Sequence, residues 1–82
     1  MCVYGYRRPP YGLRARISPD RCVTWGEEIV LRDDGGSWDL GYPRTHLRAD
    51  GSLVTVYYFN LKADPIQREG GVRHIAATLW RV

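Results

Sequence analysis

Leu53-Val54-Thr55-Val56-Tyr57-Tyr58-Phe59 is rich in β-branched and aromatic side chains and follows Asp50-Gly51 directly. This stretch restricts the fold more than any other. β-Branched side chains are stiff at χ1 and crowd a helical turn, whereas a pleated surface accommodates them. Asp-Gly accepts positive φ at both positions and is a two-residue hairpin signal. The pattern therefore predicts that residues 42–48 and 53–59 pair antiparallel.

The rest of the chain follows the same period. Residues 13–17 alternate Leu13, Ala15 and Ile17 with Arg14 and Arg16, and residues 72–80 alternate Ile75, Ala77 and Leu79 with His74, Ala76 and Thr78. Both read as two-faced strands. Glu28-Ile29-Val30-Leu31 reads as another, closed by the turn cluster Asp33-Asp34-Gly35-Gly36. No segment carries a helical period.

With 82 residues the chain makes one small domain, and such a domain buries only about 60–65% of its unfolded surface. The 12 Lys+Arg against 9 Asp+Glu give a formal charge of +3. That excess is too mild and too scattered for a nucleic-acid surface. Every cation except Lys62 is arginine, a bias that suits carboxylate contacts and follows equally well from gene base composition. Cys2 and Cys22 allow a single disulfide that the spacing does not fix, and no His or Cys spacing suggests a metal site. No cofactor is implied. The apolar run 53–59 is too short to span a bilayer and no apolar segment follows Met1, so a soluble chain without membrane contact is expected.

A faint repeat links the two halves. Val3-Tyr4-Gly5-Tyr6 is echoed by Val56-Tyr57-Tyr58-Phe59, and Gly12-Leu13-Arg14-Ala15-Arg16-Ile17 by Gly71-Val72-Arg73-His74-Ile75-Ala76, with a Pro-containing loop between the blocks each time.

Ser18-Pro19-Asp20-Arg21-Cys22-Val23-Thr24-Trp25 resembles the Asp-box, Ser-x-Asp-x-Gly-x-Thr-Trp, of the sialidase-type β-propellers (bacterial neuraminidase repeats). Ser18, Asp20, Thr24 and Trp25 match, and Cys22 stands where the motif has Gly, a position asking for φ > 0. The resemblance implies that the Asp carboxylate accepts bonds from the hairpin backbone while the Trp lies beneath the turn. It extends through Trp25–Leu31 and Trp38–Pro43 to His74–Arg81. The implied fold is all-β and antiparallel, with about six strands. They form two incomplete propeller blades packed together, or rearrange into a compact β-sandwich. Residues 1–35 would end one blade, including the Asp-box hairpin, and residues 36–82 would make most of the next. Each blade would miss one strand, so unpaired edges are expected to drive self-association into a homo-oligomer.

In sialidases a Gly-Tyr-Ser segment opens an inner strand of a late blade, and its Tyr is the nucleophile. Gly41-Tyr42-Pro43 stands at that place, which makes Tyr42 the candidate nucleophile. A phenol suits the task because the sialic acid carboxylate repels an anionic nucleophile. Such chemistry also needs a base, an acid and an Arg cluster for the substrate carboxylate. Arg8 is the candidate for that contact, with Arg7 and Arg14 as competitors. Pro43 in place of Ser, and Tyr58-Phe59 where sialidases carry a Glu, depart from the pattern. The expected role is therefore structural or carbohydrate-binding, with a glycan as ligand and without turnover by the chain alone. The alternative is an exo-sialidase active only in a larger chain or assembly. The resemblance also implies a secreted or periplasmic location. Asp33, Asp34 and Asp39 read as turn residues beside glycines, and Trp25 and Trp38 as packing beneath hairpins.

Overall fold

A computed structural model describes residues 1–63 and 72–82. They form six strands: β1 (Cys2–Tyr6), β2 (Gly12–Arg16), β3 (Ile29–Arg32), β4 (Gly41–Leu47), β5 (Leu53–Phe59) and β6 (His74–Trp80). The chain is all-β, with two antiparallel three-stranded sheets of order β1-β2-β3 and β4-β5-β6. No helix occurs among the described residues. The junction expected at residues 35 and 36 falls in the connection between the sheets.

Alternation decides which face is buried. Leu13 and Ala15 of β2 are fully buried, as are Thr55 and Phe59 of β5, with Leu53 and Tyr57 nearly so. Leu13, Leu40, Tyr57 and Phe59 make the core, and Tyr11, Leu31, Leu61 and Ala76 pack around it. The two sheets thus meet over this shared core. Burying each large apolar side chain contributes about 2 kcal/mol, so a core this small leaves little surplus. Arg32 fastens the layers, its guanidinium 4.0 Å from the Phe59 ring centroid and its Nη1 donating to the Tyr57 hydroxyl at 3.4 Å. Its Nε and Nη2 form a fork to Asp34, which raises the Arg32 pKa and lowers that of Asp34.

The alternation in β6 resolves with its apolar set outward. Ile75 is 74% and Leu79 64% exposed, beside Val54 and Val56 across the register Tyr58↔Ile75, Val56↔Ala77 and Val54↔Leu79. The inward side carries polar links instead: Thr78 shares a hydrogen bond with the Tyr57 hydroxyl, and Trp80 Nε1 donates to Thr55 Oγ1. The strand begins at His74, so Val72 and Arg73 lie outside it.

The predicted β4–β5 pair is present, with Leu47 opposite Leu53 and His46 opposite Val54. Its turn differs from the two-residue expectation. Arg48 N–H donates to Ser52 O and Gly51 N–H to Arg48 O, with Gly51 at φ +87°. The loop is therefore Ala49-Asp50-Gly51, a three-residue connection whose last residue is left-handed. Asp50 stabilises it by accepting from the Ser52 backbone and hydroxyl.

The hairpin before β3 has the bonding expected of residues 18–24. Asp20 Oδ1 accepts from the Thr24 backbone at 2.7 Å and from Ser18 Oγ at 2.9 Å, Oδ2 accepts from the Thr24 hydroxyl, and Cys22 N–H donates to Ser18 Oγ. Cys22 has φ +71° and its neighbour Arg21 φ +57°, so the left-handed requirement is real and is met by residues that bear a Cβ. Gly26 N–H closes the loop onto Ile17 O. Trp25 remains 39% exposed and Trp38 58% exposed. Trp38 is thus not packed beneath a hairpin, because Leu40 takes the core position next to it. Cys2 and Cys22 are both free thiols, exposed rather than paired.

Candidate functional site

Three connections emerge at one end of the sheets: β1 to β2, β3 to β4 and β5 to β6. Their meeting point is set by Gly41 and Tyr42, which have φ +116° and +45°. These consecutive left-handed residues coincide with a register irregularity between Gly41 and Arg44. A bulge of this kind interrupts the ladder and re-aims one side chain. Here it turns Tyr42 outward, leaving it 77% exposed.

Tyr42 meets two partners. Its ring stands edge-on to Tyr58, with centroids 5.6 Å apart, and the Arg7 guanidinium lies 5.6 Å from its centroid. Arg7 leaves the end of β1 and donates from Nη2 to Leu40 O at 3.3 Å. Tyr58 donates its phenol proton to Asp39 Oδ1 at 2.7 Å, and Arg73 Nε donates to Asp39 Oδ2 at 2.6 Å. Asn60 is fully buried and donates from Nδ2 to Asp39 O, fixing the segment that carries the carboxylate.

The electrostatics follow from these bonds. The Tyr58 hydroxyl, then the Arg73 guanidinium, hold the Asp39 carboxyl below the usual carboxylate range, and Arg7 adds to this. The same bond to Asp39 raises the Tyr58 phenol, with partial burial adding to it. At neutral pH the cluster is therefore an ionised Asp39 between two donors, beside an exposed Tyr42 and a cation.

Of the predicted carboxylate contacts, only Arg7 stands with Tyr42. Arg8 is exposed on the following segment. Arg14 is engaged elsewhere: Nη1 reaches Glu28 Oε1 at 2.5 Å and its guanidinium stacks 3.5 Å from the Tyr6 ring centroid. Glu28 also accepts from Tyr4, so Arg14 serves an internal pair on the far side of the first sheet. By sequence alone Asp39 is a turn residue, and neither Tyr58 nor Arg73 stands out as a site member. Within the cluster, the tyrosine with a carboxylate partner is Tyr58 rather than Tyr42. Its place on the outward side of β5, in register with Gly41, is the signal that leads to it. Among the described residues no group of three or more His, Cys, Asp and Glu side chains is placed to hold a metal ion. No helix among them is long and apolar enough to cross a membrane.

The chain is thus a small all-β unit with an aromatic, arginine-flanked cluster at one end. A solved structure of a protein of unknown function from Dyadobacter fermentans is similar to it, with 42% sequence identity over 98% of this chain and a TM-score of 0.79. This chain spans 21% of the length of that protein. No protein-family model matches the sequence, and no curated protein matches it.

Proposed function

We propose that this chain is a carbohydrate-binding portion of a sialidase-like, ring-forming β architecture, and that the Tyr42 cluster contacts a sugar acid. The observation that carries this reading is the Arg7 guanidinium beside the exposed Tyr42 ring. Arginine recognises a carboxylate through charge and paired donors, while a tyrosine edge or face accommodates the apolar side of a sugar ring. The Asp-box-like bonding of Ser18, Asp20 and Thr24 supports the same ancestry.

Turnover by the chain alone is not part of the proposal. A phenol nucleophile needs a carboxylate to take its proton, and among the described residues that partner belongs to Tyr58. A hydrolytic reading, with Tyr42 as nucleophile, is favoured by one fact: the similar Dyadobacter protein is several times longer than this chain. In that reading the Tyr42 oxygen bonds to the anomeric carbon as the glycosidic bond breaks, with the base and acid supplied from outside the chain. Water then releases the sugar.

A titration of isotope-labelled protein with the methyl α-glycoside of N-acetylneuraminic acid tests the binding reading. Saturable shifts at Arg7, Tyr42 and Tyr58, lost in Arg7→Ala, are expected. Their absence would refute it. Turnover of a fluorogenic sialoside, abolished in Tyr42→Phe, would decide for hydrolysis.

A further inference from the structure

Beside the Tyr42 cluster lies a cavity of about 140 Å³, walled by Pro9, Pro10 and Tyr11 and bounded by Asp33, Gly36 and Lys62. Three backbone bonds assemble it from separate connections. Gly35 N–H donates to Tyr11 O at 2.8 Å, Gly36 N–H to Asn60 O at 3.1 Å, and Lys62 N–H to Asp34 O at 2.8 Å. The Asn60 side chain adds a second bond to Gly36 N–H. The cavity is preformed, because its walls are held by groups that do not have to move when a ligand enters.

Its chemistry is divided. Proline and tyrosine walls are apolar and rigid, and they match the C–H face of a saturated ring. Asp33 brings a carboxylate which, among the described residues, has no hydrogen-bond or ion-pair partner. The neighbouring acids differ: Asp34 is tied to Arg32, and Asp39 to Tyr58 and Arg73. A carboxylate accepts two hydroxyl protons at once and gains most from adjacent hydroxyls held in fixed geometry.

We infer that this cavity is a subsite for one neutral, polyhydroxylated six-membered ring, seated on Pro9, Pro10 and Tyr11 with vicinal hydroxyls donating to Asp33. The volume admits a single such ring. Segment 7–11 carries Arg7 toward Tyr42 at one end and the cavity wall at the other, so a glycan can run from the acidic-sugar contact into this subsite. The inference deepens the proposed carbohydrate function and rests on it for the ligand class. The cavity has its own residues and its own test.

The test is a nuclear magnetic resonance titration of the whole chain with methyl glycosides of galactose, glucose and mannose. Saturable shifts at Tyr11, Gly35 and Gly36 with a millimolar dissociation constant are expected, the scale for a ligand of about a dozen heavy atoms. Asp33→Ala should weaken binding at least about tenfold, whereas Glu27→Ala, which removes another exposed carboxylate at the opposite end, should leave it unchanged. Asp33 is exposed, so its substitution is not expected to disturb the core. No saturable shift with any of the three glycosides, or shifts that survive Asp33→Ala, overturns the subsite. The two readings separate cleanly. A sialoside that perturbs Arg7 and Tyr42, with neutral sugars silent at Gly35 and Gly36, removes the subsite and keeps the proposed function. The reverse pattern keeps the subsite and removes the sugar-acid contact.

Discussion

Gly5 of β1 and Gly41 of β4 lie back to back: a Cβ built on Gly41 would sit 3.2 Å from the Gly5 Cα, and one on Gly5 would sit 3.2 Å from Leu40 O. This contact lets the two sheets approach where Arg7 and Tyr42 diverge. It couples the packing of the fold to the geometry of the candidate site.

Gly41→Ala should therefore damage both. It adds a methyl group against backbone and forces a non-glycine residue to φ +116°, which together cost about 1–3 kcal/mol. Gly51 is also left-handed at φ +87°, but its nearest neighbour is the flexible end of Arg81 at 3.5 Å. Gly51→Ala should cost about 1 kcal/mol. Urea unfolding of the two variants checks the order, and equal losses would show that the Gly5–Gly41 contact carries no weight.

Cys22→Gly should stabilise the chain. Cys22 holds φ +71° in the hairpin, and relieving that strain is worth about 0.5–1 kcal/mol after the extra freedom glycine gives the unfolded chain. For a domain of this size that is a rise of several degrees in Tm. Differential scanning calorimetry measures it, and a fall in Tm contradicts the strained-turn account.

Acid should unfold the protein through its carboxylates. Asp20 is held low by Thr24, Glu28 by Tyr4 and then Arg14, Asp39 by Tyr58 and then Arg73, and Asp50 by Ser52. Each folded-state value lies below the unfolded one of about 4, so each contribution is complete above that pH and is lost as pH falls through the depressed value. Stability should be flat from pH 7 to about 5 and decline below about 4. Asp50 is exposed and Asp20, Glu28 and Asp39 are half-buried at the surface, so solvent screening keeps each contribution small. Thermal melts across pH 7 to 2 follow it, and Asp39→Asn should flatten part of the decline.

We expect the outer face of β4–β6 to drive self-association. Ile75, Leu79 and Val56 are exposed there side by side, and β3 and β6 are edge strands of their sheets among the described residues. Light scattering on chromatographed protein should show an oligomer that Ile75→Lys with Leu79→Lys converts to monomer. A well-folded wild-type monomer at high concentration would end this expectation.

Much of the strand layout is legible from side-chain period alone. Leu13 and Ala15 against Arg14 and Arg16, and the 53–59 run after Asp50-Gly51, name their strands because alternate residues must point to opposite faces. The Asp20 hairpin is legible too, since its bonds join residues within four positions of one another. β6 shows where period stops helping. It specifies two faces, but which one is covered depends on where the partner sheet lies.

The site divides along the same line. The Gly41-Tyr42-Pro43 resemblance marks Tyr42, and Arg8 is its expected carboxylate contact with Arg7 only a competitor, whereas folding brings Arg7 to the Tyr42 ring. Asp39, Tyr58 and Arg73 are spread over three segments, and only folding makes Asp39 the shared acceptor of the other two. By itself the sequence determined the local matters: strand period, turn chemistry and the Asp20 hairpin, all governed by interactions between near neighbours in the chain. The tertiary structure alone decided that two glycines far apart in sequence touch, that the apolar side of β6 faces water, and that Tyr58 holds the carboxylate. Those outcomes depend on which surfaces can pack together, and local period carries no record of that.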